Sequence, residues 1–328
     1  MDFRLPLAVM PAQEKIGMRD PILLTGSCFT EHMAAQLRSY RFRVLENPSG
    51  ILFNPASITH SMTACIEGRR YGRSDLFETD GIWHSWDFHS RFSSIDPDLA
   101  LDRMNRSHAG AHAFLKEAKW VIITLGSAYV YQNPDGAVVA NCHKVPADRF
   151  RKKLMRQEEL LSELDNLIHR LFLFNPSLRI IFTISPVRHI REGFVENNRS
   201  KAALISVVHH LVDKFSGLQY FPAYELVIDD LRDYRFYAED MVHPNYLATR
   251  YVWEQFVPAM IDADAQLVMQ EVNVLNAARA HRALQPESPA HRKFMQRHME
   301  LAMSLQAKYP LLDFSDDIRH FSLATPDA

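Results

Sequence analysis

Cys28 ends the segment Pro21-Ile22-Leu23-Leu24-Thr25-Gly26-Ser27-Cys28, where an apolar run stops at a glycine and a helical pattern begins. A nucleophile at such a strand-to-helix turn gains twice. Unpaired N–H groups of the helix start can hold a developing oxyanion, and the helix dipole favours a negative sulfur. With a histidine close by, a thiol there is expected to have a depressed pKa and to ionise near neutral pH, so Cys28 is a candidate nucleophile. Ser27 reads either as a helix cap or as the nucleophile itself. Far along the chain, Asp240-Met241-Val242-His243-Pro244-Asn245 sets a carboxylate three residues before an imidazole. That spacing suits a tight turn in which Asp240 orients His243, the arrangement a general base requires.

These residues must be brought together by what lies between them. Short apolar runs alternate with helical patterns, the signature of a parallel sheet covered on both faces. Strands are expected at 21–25, 120–125, 178–184, 218–221 and 226–228, and helices at 30–38, 55–66, 160–171 and 200–215. The charge run 149–156 reads as a solvated helix start. In open α/β sheets the site lies outside the carboxyl ends of the strands. Gly26-Ser27-Cys28, Gly126-Ser127-Ala128 and the run Ser185-Pro186-Val187-Arg188-His189 all fall there. His189 and Arg188 would position a substrate or pair with an acidic loop such as Asp229-Asp230. His143, beside Asn141 and Cys142, would bind substrate or simply hydrogen-bond within a loop. Trp83, Trp86 and Phe88, with His84 and His89, would line a sugar or acyl pocket or else cover the sheet. Cys65 sits on an apolar helix face and reads as core.

Composition narrows the classes. The 328 residues suffice for one large α/β domain, expected over 1–262, and a helical extension over 263–328. In that extension Leu267, Val274, Leu301 and Leu305 need a surface to bury against. Lys and Arg number 37 against 39 Asp and Glu, with no basic block, so no nucleic-acid partner is expected. No signal-peptide pattern and no apolar run long enough to cross a bilayer stand out, so no membrane partner is expected. The three cysteines form no disulfide framework, and a cytoplasmic location is the simplest expectation. Neither a phosphate-binding loop nor a dinucleotide turn is present, so no cofactor is expected. No C-x-x-C or H-E-x-x-H pattern occurs either. A metal-dependent reading would have to gather His143, His189 and His243 from across the fold.

LLTGSCFTEH resembles the first block of SGNH (GDSL-like) hydrolases, with Cys28 on the position of the nucleophilic serine. DMVHPN resembles their Asp-x-x-His-Pro block, which puts Asp240 and His243 in the catalytic positions. NPSGILFNP, VVANCHKVP, SPVRH, NNRSKA, FPAYE and DDLRDYRFYAEDMVHPN, in this order, resemble the GSCFA-domain family over roughly residues 20–260. The resemblance implies a flavodoxin-like, three-layer α/β/α fold of SGNH type. It also implies an oxyanion hole to which the Gly50 N–H contributes. At the third block the chain reads Gly126-Ser127-Ala128, where SGNH enzymes carry Gly-x-Asn; either Asn54 or Asn141 supplies the missing donor, or the hole rests on backbone N–H groups alone.

The expected function is therefore an acyl-ester hydrolase, with Cys28 (or Ser27), His243 and Asp240 as its triad and a small-molecule or glycan ester as substrate. Acyl transfer by the same triad, and a non-catalytic carbohydrate- or partner-binding module, are the alternatives.

Overall fold

The computed structural model describes residues 5–322. From the amino end run strand β1 (Ile22–Gly26), helix α1 (Cys28–Ser39), β2 (Val44–Glu46), α2 (Pro55–Glu67) and the antiparallel hairpin β3 (Phe77–Thr79) and β4 (Ile82–His84). Then come α3 (Pro97–Glu117), β5 (Trp120–Leu125) and a small antiparallel sheet of β6 (Tyr129–Gln132), β7 (Val138–Val139) and β8 (Arg151–Leu154). The chain continues through α4 (Gln157–Phe174), β9 (Arg179–Ile184), α5 (Phe194–Lys214), β10 (Leu218–Tyr220) and the short α6 (Ala223–Glu225). Four helices follow: α7 (Tyr246–Met260), α8 (Ala263–Ala280), α9 (Pro289–Lys308) and α10 (Ser315–Ser322).

The central sheet has five strands in the order β10-β9-β5-β1-β2, all parallel. Strand residues alternate sides, so Leu23, Val121, Ile123, Ile180 and Phe182 pack with α2, α3, α4 and α5. Ile22, Leu24, Trp120, Ile122 and Ile181 pack on the opposite face with α1 and α7. Burial on both faces is why β1, β5 and β9 read as unbroken apolar runs. The result is the expected three-layer α/β/α arrangement. Along the chain the first sheet strand pairs with the second on one side and the third on the other. The direction of winding thus reverses between β1 and β5, and a crevice forms outside their carboxyl ends.

Two expectations about elements are corrected. Residues 226–228 are not a strand: Leu226–Leu231 is a π-helical turn continuing α6, with Leu226 and Val227 buried against the α7 face. The charge run 149–156 is not a helix start, because Arg151–Leu154 pairs antiparallel with β6 as β8. Half-buried Lys152 and Lys153 lay their stems on the sheet while their charges reach Glu192 and Glu159.

In the carboxyl-terminal helices a separate cluster forms around Val272, Leu275, Met295, Ala302, Leu305, Phe314 and Phe321. The buried stripe of α8 runs through Ala265, Met269, Val272 and Leu275, which leaves Leu267 and Val274 exposed, contrary to expectation. Leu305 is buried as expected, and Leu301 packs partly against the cluster. No helix among the described residues is long and apolar enough to cross a membrane.

Candidate active site

The turn at the end of β1 depends on Gly26. Its φ is +141°, and a Cβ there would lie 2.2 Å from Thr124 O, so no side chain fits. The Gly26 N–H donates to Asn47 Oδ1 at 3.0 Å and the Ser27 N–H to Thr124 O at 3.1 Å, which pins the turn to the crevice between β1 and β5. Cys28 is the first residue of α1 and only partly buried, whereas Ser27 is almost wholly buried. Ser27 stands at the N-cap position of α1, but its Oγ makes no capping bond and has no partner among the described residues, so it satisfies none of the first-turn N–H groups that the cap reading expected. Of the two, Cys28 is the side chain that an incoming group can reach.

The resting state of the thiol also differs from expectation. Burial pushes the Cys28 pKa up, and Glu31 adds to the rise; the Phe29 N–H bonded to the sulfur and the charge of Lys201 oppose it without winning. A helix start and one cation do not outweigh the lost hydration, so the thiol rests protonated. Cys65 is buried in the core as expected, and burial pushes its thiol up to about 12.

Asp240 and His243 sit on the loop before α7, which Asn245 caps by accepting from the Ala248 N–H. His243 Nδ1 donates to Asp240 Oδ2 at 2.6 Å, and Asp240 Oδ1 accepts from the Val242 and His243 N–H groups at 2.9 and 3.0 Å. Those two backbone N–H bonds, then the imidazole, hold the Asp240 carboxyl down at about 2. The carboxylate therefore fixes the tautomer that leaves His243 Nε2 as an acceptor. Both side chains are half-exposed, so the pair faces solvent.

Lys201 is the residue that pattern reading missed. It lies fully buried on α5 and donates from Nζ to Gly126 O at 2.7 Å and Ser185 O at 2.6 Å, at the carboxyl ends of β5 and β9. Burial drops its pKa to about 7, with Cys28 pulling it back up. The one available signal was a lysine in the SKAALI stretch at a helix position otherwise facing the core. His189 feels both Lys201 and His243, and its own burial, the largest cause, lowers its pKa to about 3 and keeps it neutral. Lys201 thus links the Cys28 turn electrostatically to the loops after β5 and β9.

Beside these loops opens a cleft of about 440 Å³ whose walls include Phe53, Asn54, Tyr129, Asn141, His189 and Val242. Among the expected site residues, Asn54, Asn141 and His189 meet there. Asn54 caps α2 by accepting from the Ser57 N–H with Oδ1, and Asn141 Oδ1 accepts from the His143 N–H, so each amide keeps Nδ2 for other acceptors. Gly50 is corrected as an oxyanion donor, because its N–H already donates to Asn47 O at 2.8 Å. Gly126 likewise gives its N–H to Phe53 O at 2.8 Å. It acts instead as a close-approach point, where a Cβ would lie 2.7 Å from Phe53 Cβ.

His143 does not reach the cleft. It is buried beside His84 and Phe77, with Nε2 at 2.8 Å from Ser85 O. The aromatic stretch is likewise packed: Trp86 stacks on Phe77 with centroids 3.7 Å apart, and Phe88 is fully buried. Among the described residues no group of three or more His, Cys, Asp or Glu side chains is placed to hold a metal ion.

A model of the GSCFA family matches residues 21–256, and one described as the GSCFA domain protein, C-terminal domain, matches residues 272–324. No curated protein matches the sequence. Among solved structures, a Streptococcus pneumonia protein provisionally assigned as a platelet activating factor is similar at 10% identity and TM-score 0.39, over 73% of this chain and 82% of that one. A carbohydrate esterase family 3 protein from Talaromyces cellulolyticus is similar at 8% identity and TM-score 0.36, over 76% of this chain and 99% of that one.

Proposed function

The chain belongs to the GSCFA family, and from that premise we propose that it is an acyl-ester hydrolase of SGNH type using Cys28, His243 and Asp240. The observation that carries the reading is a pair of features on the carboxyl edge of one parallel sheet. A reachable thiol heads α1 at the winding reversal, and an Asp240–His243 pair closes at 2.6 Å on the loop before α7.

In this mechanism His243 Nε2 takes the Cys28 proton as the sulfur adds to the ester carbonyl, so a thiol protonated at rest suits the role. The imidazolium is held by Asp240. The C–O bond then breaks, His243 gives its proton to the leaving alkoxide, and a thioester remains. Water attacks the thioester with His243 again as base, and the sulfur leaves with its proton restored. The Cys28 N–H and the free Nδ2 of Asn54 serve as oxyanion donors, in place of Gly50 and the missing Gly-x-Asn amide. Lys201 fixes the carbonyls of Gly126 and Ser185, and its charge favours the thiolate as it forms. An acceptor alcohol replacing water would turn the same steps into acyl transfer.

The occupied N–H groups of Gly50 and Gly126 favour a second reading, a binding module without turnover. An acyl-ester panel read by intact-protein mass spectrometry separates the two. Catalysis predicts an acyl adduct on Cys28 that is absent from Cys28→Ala. Retained hydrolysis by Cys28→Ala overturns the triad, and ligand binding without adduct or turnover establishes the module.

A further inference from the structure

The cleft beside the His243 loop has a charge pattern of its own. Its walls carry three cations, Lys152, Arg188 and Arg191, against one carboxylate, Glu192. Lys152 pairs with Glu192. Arg188 forms no ion pair with any described carboxylate, and its Nη1 is buried with no hydrogen-bond partner. A buried guanidinium N–H left without an acceptor costs free energy in the resting protein, so something that supplies an acceptor is favoured there.

Arg188 is also held in place. Its guanidinium carbon lies 4.2, 5.0 and 5.8 Å from the ring centroids of Tyr237, Tyr234 and Phe194. Its backbone N–H donates to Val242 O at 3.2 Å, which ties it to the loop that bears His243. Such a clamp fixes the planar fork before any ligand arrives, and it neutralises none of the charge. The next residue, His189, also lines the cleft; its buried Nε2 has no partner and sits against Gly126, 3.2 Å from where a Cβ there would lie, on a ring kept neutral. The volume of about 440 Å³ suits a small organic group, and Phe53 and Tyr129 supply an apolar wall.

From this juxtaposition we infer that the cleft selects esters that carry a carboxylate, and that Arg188 is the residue that holds it. The inference rests on the hydrolase reading for the word ester; the anion site itself does not. A carboxylate matches the guanidinium fork in two parallel hydrogen bonds and balances one of the two uncompensated cations.

The test compares 4-nitrophenyl hydrogen adipate with its uncharged counterpart, 4-nitrophenyl hexanoate, on the full chain, together with calorimetric titration of free adipate. The expected ratio of kcat/KM, anionic over neutral, is roughly tenfold or more for a bidentate charged contact. It should fall to about one in Arg188→Met through KM and survive in part in Arg188→Lys, which a purely structural role would not produce. Equal cleavage of both esters by the native protein, with no adipate binding, overturns the anion site and leaves the hydrolase reading standing. If neither ester is cleaved, adipate binding that is lost in Arg188→Met sustains the anion site while the hydrolase reading fails, and absence of binding overturns both. Inorganic phosphate that displaces adipate at equal concentration overturns the choice of a carboxylate.

Discussion

At its amino end α1 starts among buried polar atoms without partners, whereas at its carboxyl end the charges around it are paired. Around Cys28, the hydroxyls of Thr25, Ser27 and Thr30 have no hydrogen-bond partner among the described residues, and Lys201 is buried with two carbonyls and no carboxylate. Around Ser39, Asn276 Nδ2 donates to Ser39 O at 2.9 Å, and fully buried Asp317 accepts from Arg41 Nε and Arg279 Nη1, each at 3.1 Å. One helix thus joins an end that leaves polar groups open to an end where the carboxyl-terminal helices dock. Each unsatisfied group costs about 1–3 kcal/mol, so the amino end is the costlier one to hold and the docked carboxyl end offsets part of that cost.

The largest expected break in that contrast is chemical. Asp240→Asn should lower kcat on a cleaved ester by about 10⁴-fold through the wrong histidine tautomer. It should leave the urea midpoint nearly unchanged, since the loop is exposed. A loss of activity that merely tracks unfolding would remove the triad.

Next in size is the docked end. Asp317→Ala leaves Arg41 and Arg279 facing each other without a carboxylate and should cost about 3 kcal/mol of stability in urea unfolding. Turnover per folded molecule should be kept; a stability change near zero would show that the paired end contributes little.

Lys201→Met should slow turnover by about tenfold or more, the scale of one favourable charge at a reacting centre. It should also move the pH midpoint of Cys28 alkylation by iodoacetamide upward, because the cation that opposes the raised thiol pKa is gone. The stability profile carries a second signature. The folded Lys201 pKa of about 7 lies below the ordinary lysine value of 10.5, so the unfolded chain holds the extra proton between those limits. Stability contributed by this group therefore rises with pH across that window, and the rise should vanish in the methionine variant. An unaltered alkylation profile would reduce Lys201 to a packing role.

The smallest effect belongs to Ser27→Ala. With no capping bond to lose and a buried, partnerless hydroxyl removed, stability should rise by about 1 kcal/mol in thermal unfolding. A loss near 1 kcal/mol would restore the cap that the resting geometry lacks.

Local chemistry made much of this legible. The run Trp120–Leu125, of strand length and ended by Gly126, reads as a strand buried on both faces, and Asn54-Pro55 announces a helix start by its own capping geometry. Asp240 and His243 lie three residues apart, so a single tight turn decides their pairing. The exposed faces of α8 were harder, because Leu267 and Val274 are apolar yet point away from the cluster that Val272 and Leu275 join.

By itself the sequence determined most of the alternation of strands and helices and the Asp240–His243 unit, because each depends on neighbours a few residues apart. Tertiary structure alone decided the raised pKa of Cys28, the occupation of the Gly50 and Gly126 N–H groups, the burial of Lys201 at the carboxyl ends of β5 and β9 and the partnerless Nη1 of Arg188. Each of those depends on which distant carbonyls, carboxylates and rings are brought near and how much water is removed, and no local spacing carries that information.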